Sequence, residues 1–209
     1  MQRLSVWSHL EKIINNDATP KTIRSQATLD LAKKNIADTL AFALEYQNTQ
    51  AALIVADAQC DLAVTLTTAY QHCLPSARFI DFDSTPPEAI FQAINQLSPG
   101  DLVILIQSTS FRLEAYRIRI ELFNRSLKVI EHPHLSRMQN AEAAHYIEAL
   151  AYDSTYYRNV GHQLKALIDQ ASSAVIDSGG ERLVFGSPLE AAKLNIGDYR
   201  QMKNVGGQF

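Results

Sequence analysis

Several groups of side chains in this sequence have the types and spacing that chemistry uses. His132-Pro133-His134 sets two imidazoles two positions apart, and imidazole is a common metal ligand. Glu142 and His145 stand in the Glu-x-x-His spacing by which one helix face aims two ligands at a metal, as di-iron bundles do. Asp81 and Asp83 imitate the acid that holds a ribose in a dinucleotide site. Cys60 stands at the start of a predicted helix, where the helix dipole can lower a thiol's pKa, and Ser108, Thr109 and Ser110 offer hydroxyls after an apolar run. Each group lacks the companions its chemistry requires. The histidines have no nearby cysteines, nor enough carboxylates, to complete a coordination set. Glu-x-x-His occurs once where the di-iron site needs it twice. No base can be assigned to Cys60, and no G-x-S-x-G elbow surrounds a serine, since Gly186-Ser187-Pro188 is not set between a strand and a helix. The expectation is therefore loop histidines, a surface helix, turn-forming aspartates, helix-capping hydroxyls and core cysteines. No catalytic, cofactor-binding or metal-ligating residue is assigned within the chain.

The elements that would position these groups follow from hydrophobic spacing. Residues 1–48 read as a helical lead-in, with one helix near residues 4–14 and a longer one over 25–46, where Leu29, Ala32, Ile36, Leu40, Ala43 and Leu44 recur every three or four positions. A strand-then-helix rhythm follows. Strands are expected at 51–57, 77–82, 101–107 and 127–132, with helices at 60–73, 86–97 and 111–123, the second opened by prolines in its first turn. Helices over 140–150 and 155–171 close the unit. Strands that are continuously apolar, each followed by a helix, imply an α/β fold: a doubly wound, mostly parallel sheet with helices on both faces. Such sheets bind ligands at the carboxyl ends of their strands. Yet no glycine lies between Met1 and Pro99, so neither a G-x-G-x-x-G turn nor a phosphate-cradling loop can form there, and no nucleotide site is expected.

From Ala174 onward the chain changes character, carrying Gly179, Gly180, Gly186, Gly197, Gly206 and Gly207 of its 8 glycines. Dense glycine between short apolar runs marks tight turns, here AVIDS, a Gly179-Gly180 turn and ERLVF. The expected division is an α/β domain over 1–172 and, over 173–209, the β-rich start of an incomplete second domain, so that the chain is the amino-terminal portion of a larger protein. Open strand edges in that segment would pair with the same segment of a neighbour and give a homodimer. The net charge of −3 favours neither nucleic acid nor an anionic membrane. Arg112, Arg117, Arg119 and Arg125 alternate with Glu114 and Glu121, as on a solvated helix face. The apolar runs are far shorter than the roughly 20 residues of a membrane span, and no leader pattern opens the sequence, so a cytoplasmic protein with free, buried, reduced Cys60 and Cys73 is expected.

The strand ALIVAD, a helix opening on the following aspartate, the later strand DLVILI, and the tail ERLVFGSPLEAAKLNIGDYRQMKNVGGQF with its N-x-G-G ending resemble, in that order over residues 51–209, the amino-terminal half of the thermophilic-type metallo-aminopeptidases, the aminopeptidase T and S group. The tail is similar to the stretch just ahead of that family's Pro-x-Gly-Glu signature. Two features depart from the family's pattern: the lead-in of residues 1–48 is longer, and Leu74-Pro75 replaces a usual glycine. The resemblance implies a metal-dependent aminopeptidase-like hydrolase acting on peptides, with a divalent metal held by glutamates, histidines and an aspartate of a carboxy-terminal domain. None of those ligands maps onto residues 1–209, so this chain alone would be inactive. Two alternatives stand beside it: a ring-cleaving, dihydroxypyridine-dioxygenase-like enzyme of similar fold, and a non-enzymatic α/β binding or oligomerisation module.

Overall fold

Every side chain of ALIVA in β1 (Ala52–Ala56) and of LVILI in β3 (Leu102–Ile106) is buried, which requires cover on both faces of the sheet. The computed structural model describes residues 23, 25–113, 116–187, 189–202 and 206–208, and the helix expected near residues 4–14 lies outside them. With β2 (Arg78–Asp81), β6 (Lys128–His132) and β9 (Gly206–Gln208), these strands form one parallel sheet in the order β2-β1-β3-β6-β9. The register runs from Ala52 opposite Leu102 to Ala56 opposite Ile106. Strand alternation divides the core into two layers. Ile54, Ile104 and Ile130 pack towards α1 (Gln26–Asp38), α2 (Asp61–Cys73) and α5 (Ala141–Ala149), while Val55, Val103, Leu105 and Val129 pack towards α3 (Pro87–Asn95) and α4 (Ile118–Asn124). The fold is thus α/β and doubly wound.

Local chemistry sets the helix ends. Ser25 caps α1 by accepting the Thr28 N–H at 3.1 Å, and the helix expected to run to residue 46 changes at Asp38 into a π turn over Thr39–Ala43. Glu45, at φ 53°, ends it. The helix expected over 111–123 is shorter than its spacing suggested and begins at Ile118. Phe111 is buried against Phe82, the rings stacked 3.8 Å apart, and its N–H donates to Gln107 Oε1 at 2.7 Å. The chain is thereby anchored as a loop, and β4 (Arg112–Leu113) and β5 (Tyr116–Arg117) pair antiparallel before α4. Arg112 and Arg117 thus lie on short strands, and Arg125, just past the end of α4, pairs with Glu121 at 2.7 Å. Among the described residues, no helix is long and apolar enough to cross a membrane.

Beyond α6 (Ser154–Asp169) the expected hairpin forms from β7 (Ala174–Ser178) and β8 (Glu181–Phe185), turning at Gly179 and Gly180, both at positive φ. It belongs to no other sheet, and its side chains are exposed from Val175 onward. The residues after it return to the α/β core. Residues 189–202 form a strap along α6: Ala192 N–H donates to Asp169 Oδ1 at 2.8 Å, Arg158 faces Asp198 at 3.5 Å, and Tyr199 N–H donates to Ala43 O at 2.9 Å. Gly161 of α6 passes the strap so closely that an added Cβ would collide with Ile196. β9 then pairs with β6, Val129 opposite Gly206 and Glu131 opposite Gln208. The boundary expected near residue 172 falls just before the hairpin, which stands outside the main sheet, while the strap packs on α6 and β9 joins the sheet.

Candidate functional site

The chain leaves β1 towards α2 on one face and leaves β3 towards α4 on the other, so the two loops diverge at the carboxyl end of the sheet. This is the switch point at which open α/β sheets hold ligands. Here side chains from both loops close it. Asp57, the residue after β1, is buried; its Oδ2 accepts the Ser108 N–H at 2.8 Å, and its Oδ1 accepts the Gln59 N–H at 3.3 Å and, in a short bond, the Ser108 hydroxyl. Ser108 Oγ also lies 3.2 Å from Cys60 Sγ, at the N-cap of α2. A hydroxyl has one proton, and with that proton given to Asp57 the Cys60 thiol is the group that donates to Ser108. Ser136 holds the other side of this loop, donating its N–H at 3.0 Å and its hydroxyl at 2.6 Å to the Ser108 carbonyl.

A serine nucleophile needs a base that takes its proton and a path for the substrate. Asp57 meets Ser108 directly, with no imidazole between them, and both side chains are enclosed. The arrangement bolts the β1 and β3 loops together. Asp81 and Asp83 build the neighbouring turn, where Asp81 accepts the Asp83 N–H at 3.1 Å and the Ser84 hydroxyl at 2.8 Å, while Asp83 accepts from Gln59 Nε2 at 3.0 Å. Ser108 is bonded within the crevice rather than capping a helix.

A second cluster surrounds His132, the last residue of β6. The ring is 1% exposed, with Nε2 2.8 Å from the Tyr70 hydroxyl of α2 and Nδ1 2.7 Å from the Tyr146 hydroxyl of α5. Burial pushes His132 down from 6.5 to about 3 and pushes both phenols up, so a neutral imidazole lies between two neutral tyrosines. One ring nitrogen donates and the other accepts, which leaves neither for a metal. His134 sits in the left-handed region at φ 58° with Nε2 3.1 Å from Ser110 Oγ, so the two histidines have separate partners. His145 pairs with Glu148 at 3.1 Å, while a Glu142 oxygen lies 3.4 Å from the Gln139 N–H. Cys60 and Cys73 are free but half-buried, because Cys60 stands at the mouth of the crevice and Cys73 at the end of α2, 3.4 Å from the Lys33 carbonyl; burial nevertheless pushes the Cys73 thiol up. Among the described residues, no group of three or more His, Cys, Asp or Glu could hold a metal ion, so the divalent metal implied by the resemblance has no fitting site in them.

Sequence reasoning missed Asp57, Tyr70 and Tyr146. An acid ending an otherwise apolar strand was a usable signal for Asp57, whereas nothing local separates the two tyrosines from other aromatic residues on amphipathic helices. A cavity of about 640 Å³ opens at the opposite end of the strands, lined by Tyr46, Gln50, Arg78 and Gln96 among others. Several of its polar groups bond to one another or to the chain: Tyr46 Oη to Gln50 O at 2.7 Å, Gln50 Nε2 to Gly100 O at 2.8 Å, and Arg78 Nη1 to Gln96 Oε1 at 2.8 Å.

No protein-family model and no curated protein matches this sequence. Among solved structures, aspartate aminotransferase from Trypanosoma cruzi is similar at a TM-score of 0.32 and 15% identity, over 50% of this chain and 28% of that chain. The match thus spans less than a third of the aminotransferase, and a likeness at this level fixes no function.

Proposed function

We propose that this chain is the α/β domain of a metal-dependent aminopeptidase-like hydrolase acting on peptides in the cytoplasm, with its divalent metal held by residues outside this sequence. One observation supports the reading. The pieces that carry the family resemblance, ALIVAD, DLVILI and the N-x-G-G tail, contribute β1, β3 and β9 of a single parallel sheet, the first two as direct neighbours. Segments far apart in sequence thus build one framework. In this reading the domain packs beside the metal-bearing part and walls its substrate cleft, and the bolted Asp57–Ser108 crevice is a rigid support.

The test is the sequence encoded after Phe209 together with the activity of the full translation product. The reading requires a downstream Pro-x-Gly-Glu, a Glu/His/Asp cluster, and metal-dependent release of amino-terminal residues from peptides that chelation abolishes. A reading frame that stops at Phe209 overturns it. The second reading, a non-enzymatic α/β binding or oligomerisation module, is favoured by the exposed apolar side chains of α6 and the β7–β8 hairpin, and it gains if that frame stops.

A further inference from the structure

Helix α6 has two distinct sides apart from its solvated back. Arg158, Gly161, Lys165 and Asp169, three and four apart, face the strap: Lys165 Nζ donates to Ala192 O at 2.6 Å and pairs with Asp169 at 2.7 Å, and Arg158 pairs with Asp198. About a third of a turn away run Tyr157, Val160, Leu164 and Leu167, extended by Ala171 just past the helix end, at the alternating three- and four-residue spacing of a helix-pairing seam. Val160 and Ala171 are half-buried and Tyr157 stacks on Tyr152, but the rest of the seam lies open among the described residues. Tyr157 is 46% exposed, Leu164 52%, Leu167 68% and the adjoining Ile168 38%.

We infer that this seam is where a second copy of the chain docks, α6 against α6. Three observations select a second copy over another occupant. The seam is flanked by Gln163 and Gln170 on one side and by Gly161 and Ile168 on the other, so two copies meet without opposed like charges. The charged groups of α6 named above are already engaged with the strap, which leaves no charge on the seam to recognise an acidic or basic peptide. With Tyr156 included, at 55% exposure, the apolar surface open on α6 is roughly 500 Å² if a large side chain presents about 200 Å². Two copies would then bury about 1,000 Å², the threshold for a specific interface. The contact is isologous, and Leu164, at the centre of the seam, meets its own counterpart whichever way the helices run. This inference is independent of the hydrolase reading, since it needs no metal and no further domain.

The experiment uses the full chain. Sedimentation should give twice the 23.3 kDa chain mass, and L164E/L167E should return it to the single-chain mass with circular dichroism and unfolding midpoint unchanged. L164C should form a disulfide-linked dimer under mild oxidation, whereas N159C, on the polar side of α6, and the wild-type chain should not. A chain that is monomeric at every attainable concentration overturns the inference. So does a dimer that L164E/L167E leaves intact, which would move the interface to another surface such as the hairpin. A monomer in which L164C resists a thiol reagent also overturns it, because another part of the same chain would then cover the seam.

Discussion

Lowering the pH from about 7.5 to about 5 should destabilise this protein through His132. The unfolded ring titrates at an ordinary value of 6.5, whereas burial between Tyr70 and Tyr146 pushes the native ring down to about 3. Between those values the unfolded state binds a proton that the native state refuses, so stability falls as pH falls, and the loss is complete only below about pH 3. At about pH 5 the native ring is still neutral and the unfolded ring is some 1.5 units below its midpoint, which at 1.36 kcal/mol per unit gives a loss of about 2 kcal/mol. Asp30, Asp169 and Asp198, each held below the usual 3.8 by hydrogen bonds from Gln26, Lys165 and Arg200 respectively, lose their contributions only at lower pH and stay outside this window. Denaturant unfolding of the wild type and of H132Q at both pH values is the assay. The amide retains one donor and one acceptor for the two phenols, so the variant is expected to fold, with its own loss between the two pH values smaller than the wild type's by about 2 kcal/mol. Equal losses in the two proteins would show that the imidazole is not held neutral and would refute the reasoning.

Ser108→Ala removes the hydroxyl's bonds with Asp57 and Cys60 and leaves a buried carboxylate under-satisfied, so chemical denaturation should show a loss of about 1–3 kcal/mol; a loss below about 0.5 kcal/mol would mean that Asp57 is solvated in solution. Gly161→Ala drives a methyl into Ile196 and should loosen the strap, read as faster limited proteolysis within residues 189–202 while α2 and β1 stay protected from hydrogen exchange; unchanged cleavage would place the strap elsewhere. Truncation after Ser172 takes β9 from β6 and Tyr199 from Ala43, whereas replacing only residues 174–185 by a short linker removes an exposed hairpin. The truncation should therefore unfold at clearly lower denaturant than the hairpin replacement, and equal midpoints would mean that residues 189–208 add nothing to the core.

The strands and helices of the sheet were legible because burial on both faces writes itself as an unbroken apolar run. ALIVA and LVILI need no partner to be recognised, and the Gly179-Gly180 turn declared its hairpin. The start of α4 was not legible, because the apolar and charged spacing from residue 111 suits a helix. What prevents one is tertiary: Phe111 stacked on Phe82 and tied to Gln107. The strap was hidden for a related reason. Residues 189–202 carry no repeating pattern, and their place is set by a glycine and an arginine of α6 and a carbonyl left free by the π turn. The site was less legible, because the Asp57–Ser108 bond that closes the crevice joins residues fifty-one apart.

That closure bears on where the molecule can act. Opening the crevice would strip the Asp57 carboxylate of bonds from Ser108 and Gln59, and leaving a buried charged acceptor unpaired costs several kcal/mol, comparable to the whole stability of many domains. The carboxyl end of this sheet is therefore a fixed wall, and an open apolar surface lies outside it. The strap decides which surface that is. By engaging Arg158 and Lys165 it turns the charged side of α6 inward and leaves the apolar seam facing out. At about 25 cal/mol per Å², covering roughly 500 Å² of that seam is worth at most about 12 kcal/mol per copy, against an association penalty of about 4–15 kcal/mol shared by two copies. An α6 pair therefore has enough burial to form, and a glutamate at Leu164, which would set two carboxylates against each other at the centre of the contact, should abolish it.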